Sequence, residues 1–372
     1  MITKSVVAAV VGAAALLVPA VLIPAVPAAA TPAVRTIATG LDNPRGITLG
    51  PPGEIYVAEA GRGGAGPCRP GPEGEACFGR SGAITVIKQG RQWRLQTKLP
   101  SLASRAGTEA SGPSDVSLGA DGRLHYTLGL GGSPDLRQQV PQLTGMAKLY
   151  RAGRTPAVLA DLGAYETSAN PDGVTPPDTN PNALLATRRG QLVVDAGGNS
   201  LLRVAPRGRI STVATFPRRT VAAPEGLPPG SPPAGTPIPM ESVPTSVTRG
   251  PDGAFYVGEL TGFPFPAGQA RVWRIVPGKA PSVFATGFTN IIDLAWARDG
   301  RLYVLEIAHR GLLSGDRTGA LLRVDRKGRH QVVASAGLTA PGGLAISGRS
   351  AYVTNCSVCA GTGSVVRISL GS

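Results

Sequence analysis

The chain has 372 residues, of which 51 are glycine and 35 are proline, while only 16% are charged and 5% are aromatic. So small a charged fraction excludes a disordered polyelectrolyte, and the glycine and proline content is typical of many short strands joined by turns. The 37 Lys and Arg residues against 23 Asp and Glu give a formal net charge of +14, but these residues are spread along the whole chain, which favours a solvated basic face over nucleic-acid binding.

The first thirty residues have the features of a secretory signal. Lys4 gives a basic start, residues Val6 to Val18 are an apolar run, and Ala28 to Ala30 form a small-residue cleavage pattern. Residues 5–30 are long enough to span a membrane, but three prolines and the terminal position favour cleavage near Ala30. We therefore expect a signal peptide at residues 1–30, a secreted mature chain at 31–372, and no transmembrane segment after cleavage.

One sequence unit recurs six times after this segment. It consists of a strand that begins near a proline, a tight glycine turn, and a second strand centred on an aromatic or aliphatic residue. In the first four copies a proline precedes the mid-strand residue by twelve positions, as Pro44 precedes Tyr56 and Pro181 precedes Val193. Equal spacing predicts one backbone template, and six copies predict an all-β, six-bladed propeller in a single domain. The copies begin at Asn43, Gly112, Asn180, Val243, Asn290 and Ala340.

Two further strands complete each unit. The third ends in a branched residue, an arginine and a branched residue, as in LLRV from Leu201, and the fourth follows another turn. This alternation is typical of half-buried antiparallel strands with arginine on the solvated side. The sixth copy has no fourth strand, whereas residues Arg35 to Thr39 match one. We expect this N-terminal strand to close the ring, because an open edge would leave backbone groups unpaired.

The two faces of such a ring should differ in loop length. The turns between first and second strands, and between third and fourth, are short, so the other face is expected to carry function. We call it the long-loop face. The Pro-rich segment Arg218 to Val243 is expected to be an extended arm. The long insertions are Gly61–Ser81, Gly131–Ala147, Gly163–Thr179, Arg218–Val243, Thr261–Ala270 and Ala308–Gly319.

The short turns hold many arginines, including Arg188, Arg189, Arg207, Arg209, Arg298 and Arg301. This basic face could rest on an anionic envelope polymer or lipid surface, with retention that falls as salt rises. The plainer interpretation is a set of solvated hairpin turns.

The second strands end towards the long-loop face in oxygen-bearing side chains. If these converged near the mouth of the pore, they could bind calcium or another divalent cation. Alternatively, each could cap its own loop by accepting backbone N–H bonds, or pair with an arginine. Asp115 and Asp293, in the innermost strands, could face the channel or tether adjacent blades. The strand-end residues are Glu59, Asp195, Glu259, Glu306 and Asn355.

Four cysteines occur as two local pairs, Cys68 with Cys77 and Cys356 with Cys359. In an exported chain we expect disulfides, most simply as these two loops, although cross-pairing between the first and last blades stays open. The Cys-x-x-Cys spacing also suits zinc or redox chemistry, but no second such motif or nearby histidine completes a zinc set.

The sequence has no nucleophile, metalloprotease or phosphate-loop motif. His125 takes the mid-strand place of a tyrosine, so we expect it to pack in the core or between blades. His309 lies on a long loop and His330 follows a basic turn, and the sequence shows a partner for neither.

The repeat core NPRGI and GEIYVAEAG, from Asn43 and Gly53, is similar to NHL-type propeller repeats. More specifically, VPTSVTRGPDGAFYVGELTGFPFP from Val243, GGNSLLRV from Gly197 and AYVTNC from Ala351 resemble the ScyD/ScyE family of exported propellers. This resemblance covers nearly the whole mature chain. It implies a six-bladed ring and offers no catalytic residues to carry over.

Two functional hypotheses follow. The favoured one is a non-catalytic binding or scaffold propeller that takes a protein, glycan or small molecule on its long-loop face. The alternative is an enzyme resembling metal-dependent lactonases or quinone-dependent sugar dehydrogenases, both of which use six-bladed rings. The strand-end carboxylates favour a lactonase slightly. No histidine ends a strand beside an arginine at the long-loop face, which argues against the dehydrogenase.

Overall fold

Six antiparallel sheets follow one another around a common axis, as the six sequence copies predict. The computed structural model describes residues 34–71, 74–227, 230–325 and 327–371. The strands are β1 (Val34–Leu41), β2 (Pro44–Gly50), β3 (Glu54–Glu59), β4 (Cys68–Gly71), β5 (Gly74–Lys88), β6 (Arg91–Ser104), β7 (Pro113–Leu118), β8 (Leu124–Leu128), β9 (Lys148–Arg151), β10 (Ala157–Asp161), β11 (Pro181–Thr187), β12 (Gly190–Asp195), β13 (Ser200–Val204), β14 (Ile210–Thr215), β15 (Arg219–Ala222), β16 (Pro237–Met240), β17 (Pro244–Arg249), β18 (Phe255–Glu259), β19 (Ala270–Ile275), β20 (Ser282–Phe288), β21 (Ile291–Trp296), β22 (Leu302–Glu306), β23 (Ala320–Val324), β24 (His330–Ala334), β25 (Gly343–Ser347), β26 (Ser350–Asn355) and β27 (Gly363–Ser369).

Each of these six sheets is one blade, with its strands in chain order from the axis outwards, except that the outermost strand of blade 6 is β1; the two-stranded β15–β16 sheet lies outside the blades. Blade 1 contains β2, β3, β5 and β6, and β4 also pairs with β5. Blades 2 to 5 are β7–β10, β11–β14, β17–β20 and β21–β24, and blade 6 is β25, β26, β27 and β1. The helical segments lie in the connections: α1 (Leu136–Gln139), α2 (Leu162–Ala169) and the 3-10 turns Pro141–Gly145 and Leu312–Ser314. The described residues contain no helix with the length and apolarity needed to cross a membrane.

The hydrophobic core is divided among the interfaces between blades. Six clusters of buried side chains each join residues of two neighbouring blades. Between blades 3 and 4, for example, Leu192 and Phe216 pack with Val257 and Trp273. Because alternate residues of a strand point to opposite faces, each blade supplies one set of apolar side chains to each neighbour. The ring is therefore held by six similar interfaces, and no blade is independent of the others.

The N-terminal strand closes the ring, as expected. β1 pairs antiparallel with β27, for example at Val34 with Ile368 and at Leu41 with Gly363. It is longer than the segment Arg35 to Thr39 that the sequence suggested. Leu41 is fully buried and packs with Ile47 of blade 1, so this strand joins the first and last blades.

Two insertions are more ordered than the sequence indicated. The prediction of an extended arm at Arg218 to Val243 is wrong, because β15 and β16 pair as a hairpin within it, from Arg219 with Met240 to Ala222 with Pro237. Likewise, within the insertion Gly61 to Ser81, β4 pairs with the N-terminal part of β5.

Both disulfides are local. Cys68 bonds to Cys77 across the β4–β5 hairpin, and Cys356 bonds to Cys359 in the loop that follows β26. The pairing that joins the first and last blades is thereby excluded.

Candidate functional site

Asp115 and Asp293 lie in the central channel, on the innermost strands of blades 2 and 5. One oxygen of Asp115 accepts the Leu184 N–H of blade 3 at 2.7 Å, and one oxygen of Asp293 accepts the Leu344 N–H of blade 6 at 2.6 Å. Both side chains thus face the channel and tether adjacent blades, the two roles that the sequence left open. A Cβ atom on Gly46 would lie 1.9 Å from an Asp115 oxygen, so only glycine leaves room for this carboxyl.

Burial controls the protonation of this channel pair. It raises the pKa of Asp115 well above its usual range, and the charge of Asp293 adds to the effect. The pKa of Asp293 is raised to about 7 by the same desolvation. The cavity between the innermost strands measures about 20 Å³, which is close to the space that a single water needs. The channel therefore holds the blades together and has no room for an organic ligand.

The structure does not bring the five strand-end side chains together. Each accepts a hydrogen bond from the loop that leads into its own blade, because the N–H and hydroxyl groups of that loop lie directly over the strand end. The donors are the N–H of Asp42 for Glu59, of Asn180 for Asp195, of Thr289 for Glu306 and of Thr339 for Asn355, and the Ser242 hydroxyl for Glu259. The geometry is that of separate loop caps.

A shared metal ion is also not favoured by donor spacing. Within residues 34–71, 74–227, 230–325 and 327–371, just one group of three His, Cys, Asp or Glu donors lies within 4.8 Å of one another. It consists of Cys68, Glu75 and Cys77, and both of its sulfurs form a disulfide. Of the two alternatives that the sequence left open, convergence of Glu59, Asp195, Glu259, Glu306 and Asn355 on one cation is not observed.

Three of the strand-end carboxylates also pair with cationic or imidazole side chains. Arg94 contacts Glu59 at 2.9 Å, and Arg219 of the β15–β16 hairpin contacts Glu259 at 2.5 Å. His309 Nδ1 contacts Glu306. The last pair corrects the expectation that His309 lacks a partner, because the three-residue separation brings the long-loop imidazole back over the strand end. Burial raises the pKa of Glu306, and the bond to His309 opposes this rise.

A cluster of acidic side chains lies over blade 3 on the long-loop face. We call Glu166, Asp172, Asp178, Asp195 and Glu241 the acidic cluster. Glu166 is only 1% exposed, and neither of its oxygens has a hydrogen-bond partner among the described residues. Burial and the charges of Asp195, Asp172 and Asp178 raise the pKa of Glu166 to about 8. At neutral pH its carboxyl is therefore mostly protonated.

Two other members of the acidic cluster, Asp172 and Glu241, are linked by a single amide. Asn199 donates to Asp172 at 2.9 Å and to Glu241 at 3.1 Å. Burial raises the pKa of Asp195 to about 6 and raises that of Asp178. Sequence reasoning missed Glu166, because α2 lies inside an insertion that was read as loop. A buried acidic cluster with perturbed protonation is a common mark of a functional region.

Next to the acidic cluster lies a groove formed by loops of three consecutive blades. Its volume is about 280 Å³, and its apolar wall consists of Leu102, Leu130 and Leu136. Its charged lining consists of Arg69 and three carboxylates, Glu75, Glu109 and Asp178, and Asp178 belongs to the acidic cluster as well. Arg317 of blade 5 approaches Glu109 at 3.9 Å. We call this cavity the groove. Apolar walls with a few polar groups are the usual composition of a small-ligand site.

Comparisons with protein-family models and with curated proteins find no match. Solved structures of six-bladed propellers do match. Virginiamycin B lyase from Staphylococcus aureus shares 12% identity, with 91% of this chain and 100% of that chain covered and a TM-score of 0.50. A gluconolactonase from Xanthomonas campestris shares 11% identity, with coverage of 91% and 90% and a TM-score of 0.53. The PQQ-bound aldose sugar dehydrogenase from Streptomyces coelicolor shares 13% identity, with coverage of 92% and 99% and a TM-score of 0.52. At such identities the similarity shows the fold alone.

Proposed function

We propose that this chain is an exported binding protein that takes a small ligand in the groove on its long-loop face. The observation that carries this proposal is the meeting of loops from blades 1, 2 and 3 around an apolar wall with three carboxylates and one arginine at its edge. A volume of about 280 Å³ suits a compact ligand or one peptide side chain. The carboxylates outnumber Arg69 in the lining and favour a ligand with a cationic group. Leu102, Leu130 and Leu136 favour an apolar body.

We also propose that residues 1–30 are removed on export and that residues 31–372 form one domain. Two disulfides support this, since such bonds persist in oxidising compartments. The region before β1 lies outside the described residues, so the proposal rests on its sequence. We expect protein recovered from outside the cytoplasm to begin near Thr31 when its N-terminus is sequenced. An intact Met1 on the exported protein would contradict this.

The groove is tested with a panel of small aliphatic and aromatic ammonium compounds. We expect at least one of them to raise the melting temperature of the protein, and Leu136→Arg to weaken its binding about tenfold or more, because the new side chain fills the groove and brings a repelling charge. Thermal shift and isothermal titration measure both effects.

The matched control is Leu313→Arg, which makes the same change at a side chain that is 54% exposed on the long-loop face and outside the groove. It should leave binding within about twofold. If the compounds bind Leu136→Arg as tightly as the unchanged protein, the groove is not the site.

One observation favours the alternative of a propeller enzyme. The buried Glu306 carboxylate orients the imidazole of His309, whose side chain is 41% exposed on the long-loop face, and an oriented imidazole is the usual general base. The same purified protein is therefore assayed with a panel of lactones and sugars, with and without calcium. Turnover that disappears in His309→Ala would replace the binding proposal by an enzymatic one.

We further propose membership of the ScyD/ScyE family, on the segments from Val243, Gly197 and Ala351 quoted above. The six-bladed fold supports this assignment. A family alignment in which Asp115, Asp293 and the closing strand fail to match would contradict it.

A further inference from the structure

The face opposite the long-loop face, where the short turns lie, carries a large cavity of its own. It lies over the turn that joins the first two strands of blade 3, which we call the first turn of that blade. The first turns of blades 2 and 4 flank it, and its volume is about 730 Å³. Four arginines line it, and its lining contains no acidic residue. We call it the basic cavity. The arginines are Arg188, Arg189, Arg203 and Arg249.

The first turns of blades 2, 4 and 5 each contain a carboxylate that offsets part of the basic charge of the blade. Each contains an aspartate that accepts the backbone N–H two residues further on. Each aspartate also faces an arginine of its own blade: Asp252 lies 2.8 Å from Arg274, and Asp299 lies 3.2 Å from Arg301. The third such aspartate is Asp121, which lies 3.8 Å from Arg123.

Blade 3 departs from this arrangement in both sequence and geometry. Arg189 stands where the other turns have aspartate, as the alignment of RRG with ADG and PDG shows. The β11–β12 ladder also continues to Thr187 opposite Gly190, which leaves a turn of two residues. In blade 4 the ladder stops at Arg249 opposite Phe255, which leaves five residues between them. The single backbone template that the equal sequence spacing predicted therefore does not hold at this turn.

Because the first turn of blade 3 lacks this aspartate, Arg188 and Arg189 have no acidic residue in their own turn. None of the four arginines of the basic cavity forms an ion pair with an acidic side chain in the described part of the chain. Three of them are exposed, and Arg203 is half-buried on β13. The apolar part of the lining is the half-buried Leu185, together with Leu192 and Phe255, which are almost fully buried. The site combines several free guanidinium groups with a small apolar surface.

We propose that the basic cavity binds an anionic polysaccharide whose sugars carry carboxylate or phosphate groups. A guanidinium group matches either anion with two parallel hydrogen bonds, and several arginines can engage several anions of one chain. The half-buried Leu185 offers an apolar contact to the non-polar face of a sugar ring. A recessed cavity of about 730 Å³ admits part of a polymer, whereas a flat membrane surface would contact the turns of all six blades.

The test measures binding of the full protein to oligogalacturonate, which carries carboxylates, and to phosphorylated dextran, with neutral dextran as the uncharged comparison. We expect binding of both anionic chains, none of neutral dextran, and an affinity that falls as salt rises. The variant Arg188→Gln/Arg189→Gln should weaken binding about tenfold or more. The change Arg189→Asp restores the residue found in the neighbouring turns and should weaken binding at least as much while preserving the fold.

The matched control is Arg298→Gln/Arg349→Gln, which removes the same charge from exposed first turns of blades 5 and 6. It should change affinity by less than about twofold. Equal weakening by the two double variants would overturn the proposal, since net charge alone would then explain binding. Tighter binding to phosphatidylglycerol vesicles, lost in the Arg188→Gln/Arg189→Gln variant, would also overturn it and indicate a lipid surface.

Discussion

Replacing Leu41 by aspartate is expected to prevent closure of the ring and to leave little folded protein at 25 °C. Leu41 is fully buried on β1, where it packs with Ile47, Val57 and Val365 across the junction of blades 6 and 1. Loss of the apolar side chain and burial of a carboxylate together cost about 4 kcal/mol or more. Domains are commonly stable by only about 5–15 kcal/mol. Release of β1 would also expose the unpaired edge of β27.

The outcome is measured as the yield of soluble protein and as its urea midpoint by circular dichroism. Thr39→Asp is the control, since Thr39 lies on the same strand and is exposed. We expect Thr39→Asp to fold with a midpoint close to that of the unchanged chain. A Leu41→Asp protein that unfolds at the same urea concentration would show that β1 is dispensable for the ring.

The stability of the protein is expected to fall as pH rises from about 5 to about 8.5, and Glu166→Gln is expected to remove the upper part of that fall. Because the folded-state pKa of Glu166 is raised to about 8, the folded protein holds this proton more tightly than the unfolded chain, whose glutamate pKa is about 4.3. The stabilisation is therefore complete below about pH 4.3 and is lost as pH rises through about 8. The buried carboxyl of Asp293, with its pKa raised to about 7, acts in the same direction.

Melting temperatures across this range measure the effect. At pH 8.5 the Glu166→Gln protein should melt about 3–6 °C above the unchanged chain, and below pH 5 the two should agree. Glu225→Gln, at an exposed position, should change neither profile. A pH profile for Glu166→Gln that runs parallel to that of the unchanged protein would mean that Glu166 does not titrate in this range.

The parts of the structure that the repeat determines were predictable from the sequence. The spacing from Pro44 to Tyr56 and its copies predicted the blades, and the match of Arg35 to Thr39 with a fourth strand predicted closure. These features depend on local alternation and on the need to pair strand edges. The local disulfides followed from the short separations between their cysteines.

The candidate site was not predictable in the same way, because it depends on contacts between insertions. Glu166 lies on a helix inside an apparent loop, and its environment comes from Asp172 and Asp178 of the same insertion and from Asp195 at the end of β12. Spacing does not show such contacts. The strand-end residue Glu259 was found, but its contact with Arg219 comes from a hairpin that the prolines had suggested would be extended.

The groove and the basic cavity lie at opposite ends of the same strands. β11, for example, begins at Pro181 beside the loop that contains Asp178 and ends at Thr187 in the basic cavity. Seven residues of strand separate the two ends by roughly 20 Å. Occupation of one site would therefore leave the other accessible. If the protein binds a polymer through the basic cavity, the groove faces away from that polymer. The ring therefore has the geometry of an adaptor with two binding faces, which can present a ligand bound in the groove to the surroundings.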